Sequence, residues 1–143
     1  MNLDLIDRTL LNELRENARS PVALLARKAG LSRTAVQARI ARLERDKVIV
    51  GYGVRLGDAY EQSLVEAHVM LTVGPKLSGL VEAALRKIPE VGSLLSVSGT
   101  FDMIAIVQAS SIVRLDALID SIGLLEGVER TRTSVVLSRR IHR

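Results

Sequence analysis

The chain has 143 residues, enough for one domain or two small ones at about 150 per domain. It carries 20 Lys+Arg against 16 Asp+Glu and is 48% hydrophobic but only 2% aromatic, so its core is aliphatic and the chain is not disordered. With no Cys it has no disulfide framework, no thiolate metal site and no Cys nucleophile. No apolar run is long enough for a membrane span, and Met1-Asn2-Leu3-Asp4 does not open a secretory signal, so a cytoplasmic protein with no membrane partner is expected.

The charge is unevenly placed. Residues 1–55 are net +5 and residues 56–143 net −1. The excess concentrates at Arg19, Arg27, Lys28, Arg33, Arg39, Arg42, Arg45 and Lys47, against only Glu44 and Asp46 in that stretch. A basic block beside a near-neutral remainder points to a polyanion-binding module joined to something else.

Residues 4–17 carry a helical stripe of Ile6, Leu10 and Leu14, with Asp4 as N-cap. Arg19-Ser20-Pro21 is a second start signal, with Ser20 as cap and Pro21 at the first helical position. That helix runs Val22 to Ala29, and Gly30 ends it in a left-handed conformation. Ser32 caps a third helix reaching about Asp46. A short helix, a Gly-containing turn and a second helix make a helix-turn-helix.

At about 100° per residue, Val36, Ile40 and Leu43 share the buried face of the third helix. Thr34, Ala38, Ala41 and Arg45 face out, flanked by Gln37 and Arg42, with Ser32 and Arg33 at the N-terminal end. An α-helix fits the DNA major groove and meets base edges with its N-terminal residues. The candidate DNA contacts are therefore Ser32, Arg33, Thr34, Gln37, Arg39 and Arg42. Arg39 lies about 60° from the buried axis, a position that fits an internal ion pair as well as a phosphate contact.

From Val48 to Leu56 the pattern alternates, predicting a strand or tight hairpin that would make the motif winged or supply a connector. Residues 1–56 thus form the expected DNA-binding domain and polar residues 57–63 a linker. Residues 64–143 then read as a strand Glu66–Val73, a helix Lys76–Lys87, strands Val91–Ser98 and Phe101–Ala109, a helix capped by Ser110 or Ser111, and a strand Val128–Leu137. The order βαββαβ is the ferredoxin-like arrangement, so the fold class is α+β: a winged helix-turn-helix plus a ferredoxin-like domain. Leu94-Leu95 and Met103 to Val107 are apolar on both sides of the sheet. The face without helices therefore demands a partner, expected to be a second copy.

The chain resembles the Lrp/AsnC (feast/famine) family of transcriptional regulators over nearly its whole length. The resemblance rests on Leu3-Asp4-Leu5-Ile6-Asp7, on Leu31-Ser32 with Val36, Arg39, Leu43 and Glu44, on Ile49 with Gly51-Tyr52, on Gly99-Thr100-Phe101-Asp102, and on Val128 with Thr133. It implies a DNA-binding regulator, dimeric through its C-terminal domains and often octameric. It also implies an amino-acid effector at a dimer–dimer interface beside the Gly-x-x-Asp turn, where Ser98, Gly99, Thr100 and Asp102 would line the site. Such a turn can offer backbone N–H groups to a carboxylate and Asp102 to an ammonium. Gly99 and Asp102 also fit the plain structural role of a turn, and Thr133 fits cross-strand packing. Ala38 and Ala41 depart from the resemblance, which places basic or polar residues there.

Two other classes share features with this sequence. Haem-pathway decarboxylases resemble the same two-domain plan and use His in the second domain, but here His68 falls in a predicted strand and His142 stands near the end. The scarcity of aromatics is also wrong for a tetrapyrrole pocket, and no nucleophile, base and orienter stand together. A ligand-binding oligomer without DNA function would leave the basic block unexplained. The expectation is a non-enzyme with no cofactor and no metal.

Overall fold

The computed structural model describes residues 2–141. The chain divides into two compact units, Met1–Arg55 and Leu56–Arg143.

The first unit is helical. Helix α1 (Leu5–Glu16) begins in a capping box: Asp7 N–H donates to the Asp4 side chain at 2.8 Å, and Asp4 N–H donates back to the Asp7 carboxylate at 3.3 Å. Helix α2 (Val22–Ala29) starts differently from the sequence expectation. Pro21, not Ser20, is the cap residue, and no side chain caps the helix. The Pro21 carbonyl accepts from Leu24 and Leu25 and so opens the helical ladder, while Ser20 N–H is taken by the Asn17 carbonyl. Gly30 ends α2 at φ 68°, where a side chain would be strained. Helix α3 (Arg33–Arg45) starts at Ser32, whose hydroxyl accepts from Ala35 N–H at 3.1 Å. The three helices pack around Leu10, Leu25, Ala26 and Val36, with Ile6, Leu14, Val22, Leu31 and Ile40 at the margin.

The strand expected at 48–56 does not form a ladder. Val48 and Ile49 N–H groups return to the Leu43 carbonyl, and residues 50–57 pair with no strand. Val50 and Val54 are 86% and 85% exposed. Alternation tells which side chains would share a face; it does not supply the second backbone that a sheet requires. Among the described residues the wing is therefore absent as a hairpin.

The second unit opens with a one-turn helix α4 (Asp58–Glu61) inside the stretch 57–63 expected to be a polar linker. The Gly57 carbonyl accepts from Tyr60 and Glu61, and a single turn is too short to show a period. The rest follows the expected order: β1 (Val65–Val73), α5 (Ser78–Arg86), β2 (Val91–Ser96), β3 (Met103–Ala109), α6 (Ile112–Gly123) and β4 (Val128–Val135). The sheet order is β2-β3-β1-β4 with every pairing antiparallel, the ferredoxin-like topology. Of the two serines proposed as the α6 cap, Ser111 does it, accepting from Arg114 N–H at 3.1 Å.

One sheet face packs on α5 and α6. Ala67, Val69, Leu71 and Val73 of β1 and Met103, Ala105, Val107 and Ala109 of β3 meet Val81, Leu85, Leu115, Leu118 and Ile122 of the helices. The register sorts the opposite face into rows. Leu95, Ile104, Met70 and Arg132 lie side by side, then Ser93, Ile106, His68 and Ser134. The open face is thus apolar only at Leu95, Ile104, Ile106 and Met70, with Ser93, His68 and Gln108 polar among them. Strand β4 contributes Arg130 and Arg132 to it, which narrows the fully apolar face expected from the sequence.

Candidate DNA-reading helix and ligand turn

Helix α3 presents its sequence-predicted surface as the periodicity requires. Val36 and Leu43 are buried, while Ser32, Arg33, Thr34, Gln37, Ala38, Ala41 and Arg45 are exposed. The exposed N-terminal group offers one guanidinium, two hydroxyls and one carboxamide, which are groups able to pair with base edges and phosphates.

Arg39 and Arg42 are held differently. Both donate to α1. Arg39 Nη1 reaches Asp4 Oδ2 at 2.6 Å and Asp7 Oδ1 at 3.0 Å, and Arg42 Nη2 reaches Asp7 Oδ2. Of the two roles open for Arg39, the structure therefore displays the internal ion pair. The guanidinium of Arg39 beside Asp4 holds that carboxyl below its ordinary value. Asp4, and then Asp7, raise Arg39 in turn. Asp7 is 1% exposed and is the one buried charged side chain among the described residues. The sequence reading missed this pairing, although a signal was present. Asp4, the cap of α1, and Asp7 in its first turn stand three apart, as Arg39 and Arg42 do on α3, so each pair lies on one side of its helix.

Elsewhere in the first unit, Tyr52 donates to Glu44 Oε1 at 2.6 Å, tying the segment after α3 back to that helix. This bond pushes the phenol up to about 12.

In the second unit, Ser98, Gly99, Thr100 and Asp102 are all exposed and lie together in the β2–β3 turn. Gly99 has φ 111°. Asp102 is woven into the backbone: its N–H donates to the Leu71 carbonyl at 2.9 Å, its carbonyl accepts from Val97 N–H, and its Oδ2 accepts from Val73 N–H at 2.8 Å. The turn is thereby fastened to the end of β1. Thr133 pairs across from Val69 on the helix-covered face, a packing position.

His68 lies on the open face, 3.7 Å from Glu66, whose carboxylate also accepts from Gln108 and Arg139. The other His considered from sequence, His142, lies outside the described residues.

Two family descriptions match the chain. Residues 3–44 match the AsnC-type helix-turn-helix domain, and residues 66–143 match the Lrp/AsnC ligand binding domain. The chain is 36% identical to the HTH-type transcriptional regulator LrpA of Mycobacterium tuberculosis, over 95% of its own length and 91% of that protein. It is 33% identical to the leucine-responsive regulatory protein of Salmonella typhimurium, over 95% and 85% of the two chains. In structure it is similar to a feast or famine regulatory protein from M. tuberculosis complexed with L-methionine, with TM-score 0.87, 34% identity and coverage of 99% and 96%. Matched in both units and more than 30% identical to these regulators over nearly its whole length, the chain belongs to the Lrp/AsnC family of transcriptional regulators.

Proposed function

We propose that the protein is a cytoplasmic regulator that binds double-stranded DNA through α3 and responds to an amino acid or similar small effector bound at an interface of its C-terminal units. The observation that carries the first half is α3 itself. Its Ser32-capped N-terminus bears exposed Arg33, Thr34 and Gln37, so hydrogen-bonding groups stand where a helix entering a major groove meets base edges. Ala38 and Ala41 leave the rest of that face short of polar groups, and base reading is concentrated in the first turn and at Gln37. A thymine methyl is the natural apolar contact for Ala38.

The effector reading rests on the exposed 98–102 turn. Asp102 Oδ2 is engaged by Val73 N–H, but a carboxylate accepts more than one hydrogen bond and the other oxygen can meet an ammonium. Likeness to a regulator complexed with L-methionine supports an amino acid as the ligand class. The apolar part of the open sheet face, around Leu95, Ile104, Ile106 and Met70, supports a homodimer through this unit, and octamers built from such dimers follow the family resemblance.

Footprinting on the DNA upstream of the protein's own coding sequence tests the DNA half. Protection is expected, and its absence at low salt defeats the reading. Thermal shift with a panel of amino acids tests the other half, since a ligand of the native state raises stability. A rise with one amino acid, lost in Asp102→Ala, is expected. A flat response to the whole panel defeats the effector reading.

A further inference from the structure

We infer that Asp7 is a positioning residue for DNA binding, acting by holding the Arg42 guanidinium at the flank of α3 for a phosphate. The inference rests on the proposal that α3 meets DNA. A carboxylate buried to 1% exposure needs hydrogen-bonding partners, and Asp7 has three: Arg39 on Oδ1, and Arg42 and Asp4 N–H on Oδ2.

The two arginines are not used alike. Arg39 shares Nη1 between two carboxylates, and its side chain is only 26% exposed. It is a brace between α1 and α3. Arg42 makes one ion pair, through Nη2, and its side chain is 41% exposed. A guanidinium carries five N–H donors in a rigid plane. With Nη2 held by Asp7, the Nε and Nη1 donors of Arg42 have no hydrogen-bond partner among the described residues and remain for another acceptor. Arg42 stands beside exposed Ala38, Ala41 and Arg45, on the flank of the reading face. A long free side chain loses rotamer freedom when it docks, whereas one already held does not. Asp7 thus gives Arg42 a prepared geometry for a phosphate at the groove edge.

The sign of the effect separates this from simple electrostatics. Removing a negative charge near DNA strengthens binding by Coulomb attraction alone. Loss of a positioning carboxylate weakens it.

The test uses the full chain and a labelled duplex of its own upstream sequence, with affinity measured by fluorescence anisotropy across a salt series. Arg42→Ala is expected to bind roughly tenfold more weakly. Its dependence of log affinity on log salt should be shallower by about one. Asp7→Asn is expected to weaken binding several-fold, to flatten the salt slope as well, and to add nothing in the Arg42→Ala background. Arg42→Lys keeps the charge but cannot span carboxylate and phosphate, and is expected to bind more weakly than the natural chain. Asp7→Asn binding as tightly as the natural chain, or more tightly, overturns the inference, as does a loss that adds in full to that of Arg42→Ala. If Asp7→Asn does not fold, Arg42→Lys decides, and undiminished binding by it is equally fatal. Failure of the natural chain to bind any duplex at low salt overturns the DNA reading itself and this inference with it.

Discussion

Gly127→Ala is a severe test of how the second unit is closed. Gly127 precedes β4 with φ 97°, a backbone conformation that costs a residue with a side chain about 1–3 kcal/mol. A Cβ built there would stand 2.9 Å from Val81 Cγ2 and 3.1 Å from Leu77 Cβ. Val81 is fully buried, and a Cβ is fixed to its backbone, so neither neighbour can swing aside. Overpacking of this kind costs about 1–3 kcal/mol more. The Gly127 carbonyl also accepts from Gly74 N–H at 2.8 Å, which resists relaxation of the turn. The expected loss is about 2–6 kcal/mol, a large share of the 5–15 kcal/mol typical of a domain. Gly99→Ala is the matched control: its φ is 111°, but nothing lies within 4 Å of the new Cβ, so only the conformational cost applies. Guanidinium unfolding followed by circular dichroism, at one fixed protomer concentration, compares the two midpoints. A Gly127→Ala protein as stable as Gly99→Ala would refute the close-packing argument.

Other outcomes follow from the same structure. Leu10→Ala empties the centre of the helical unit, where Leu10 is fully buried, and should cost about 2–5 kcal/mol in the same unfolding assay; a loss below about 1 kcal/mol, as at a surface site, would contradict the packing. Because Arg39 depresses the Asp4 carboxyl, the stability from this pair is present above the ordinary carboxylate range and lost as pH falls through the depressed value. Thermal melts between neutral and strongly acid pH should therefore fall less steeply on acidification for Asp4→Asn than for the natural chain, and parallel curves would count against the linkage. The Tyr52 phenol, raised to about 12 by Glu44, contributes stability that persists below the ordinary tyrosine range and is lost as pH rises through the raised value. Ultraviolet titration in a Tyr60→Phe background should show late ionisation, returning to the ordinary range in Glu44→Gln; an ordinary titration without that change would remove the hydrogen bond.

Much of this protein was determined by local patterns. The capping residues Asp4, Ser32 and Ser111, the left-handed Gly30 and the period-two burial of β1 and β3 depend on neighbours a few positions away, and the sequence displays them directly. The order of strands and helices then leaves few topologies, and the charge imbalance singles out the unit that carries α3. Tertiary structure alone decided the partners. Asp7 meets Arg39 and Arg42 across more than thirty intervening positions (their separations are 32 and 35), a distance over which periodicity carries no information. The alternating 48–56 segment has a strand's pattern without a strand's neighbour, because a ladder is a property of two backbones. The aliphatic excess likewise did not tell how the open face would divide; only the β1–β4 register brought Arg132 beside Met70 and ended the apolar row of Leu95, Ile104 and Met70 there. Local chemistry chose the elements, and long-range packing chose which of their charged and apolar groups would meet.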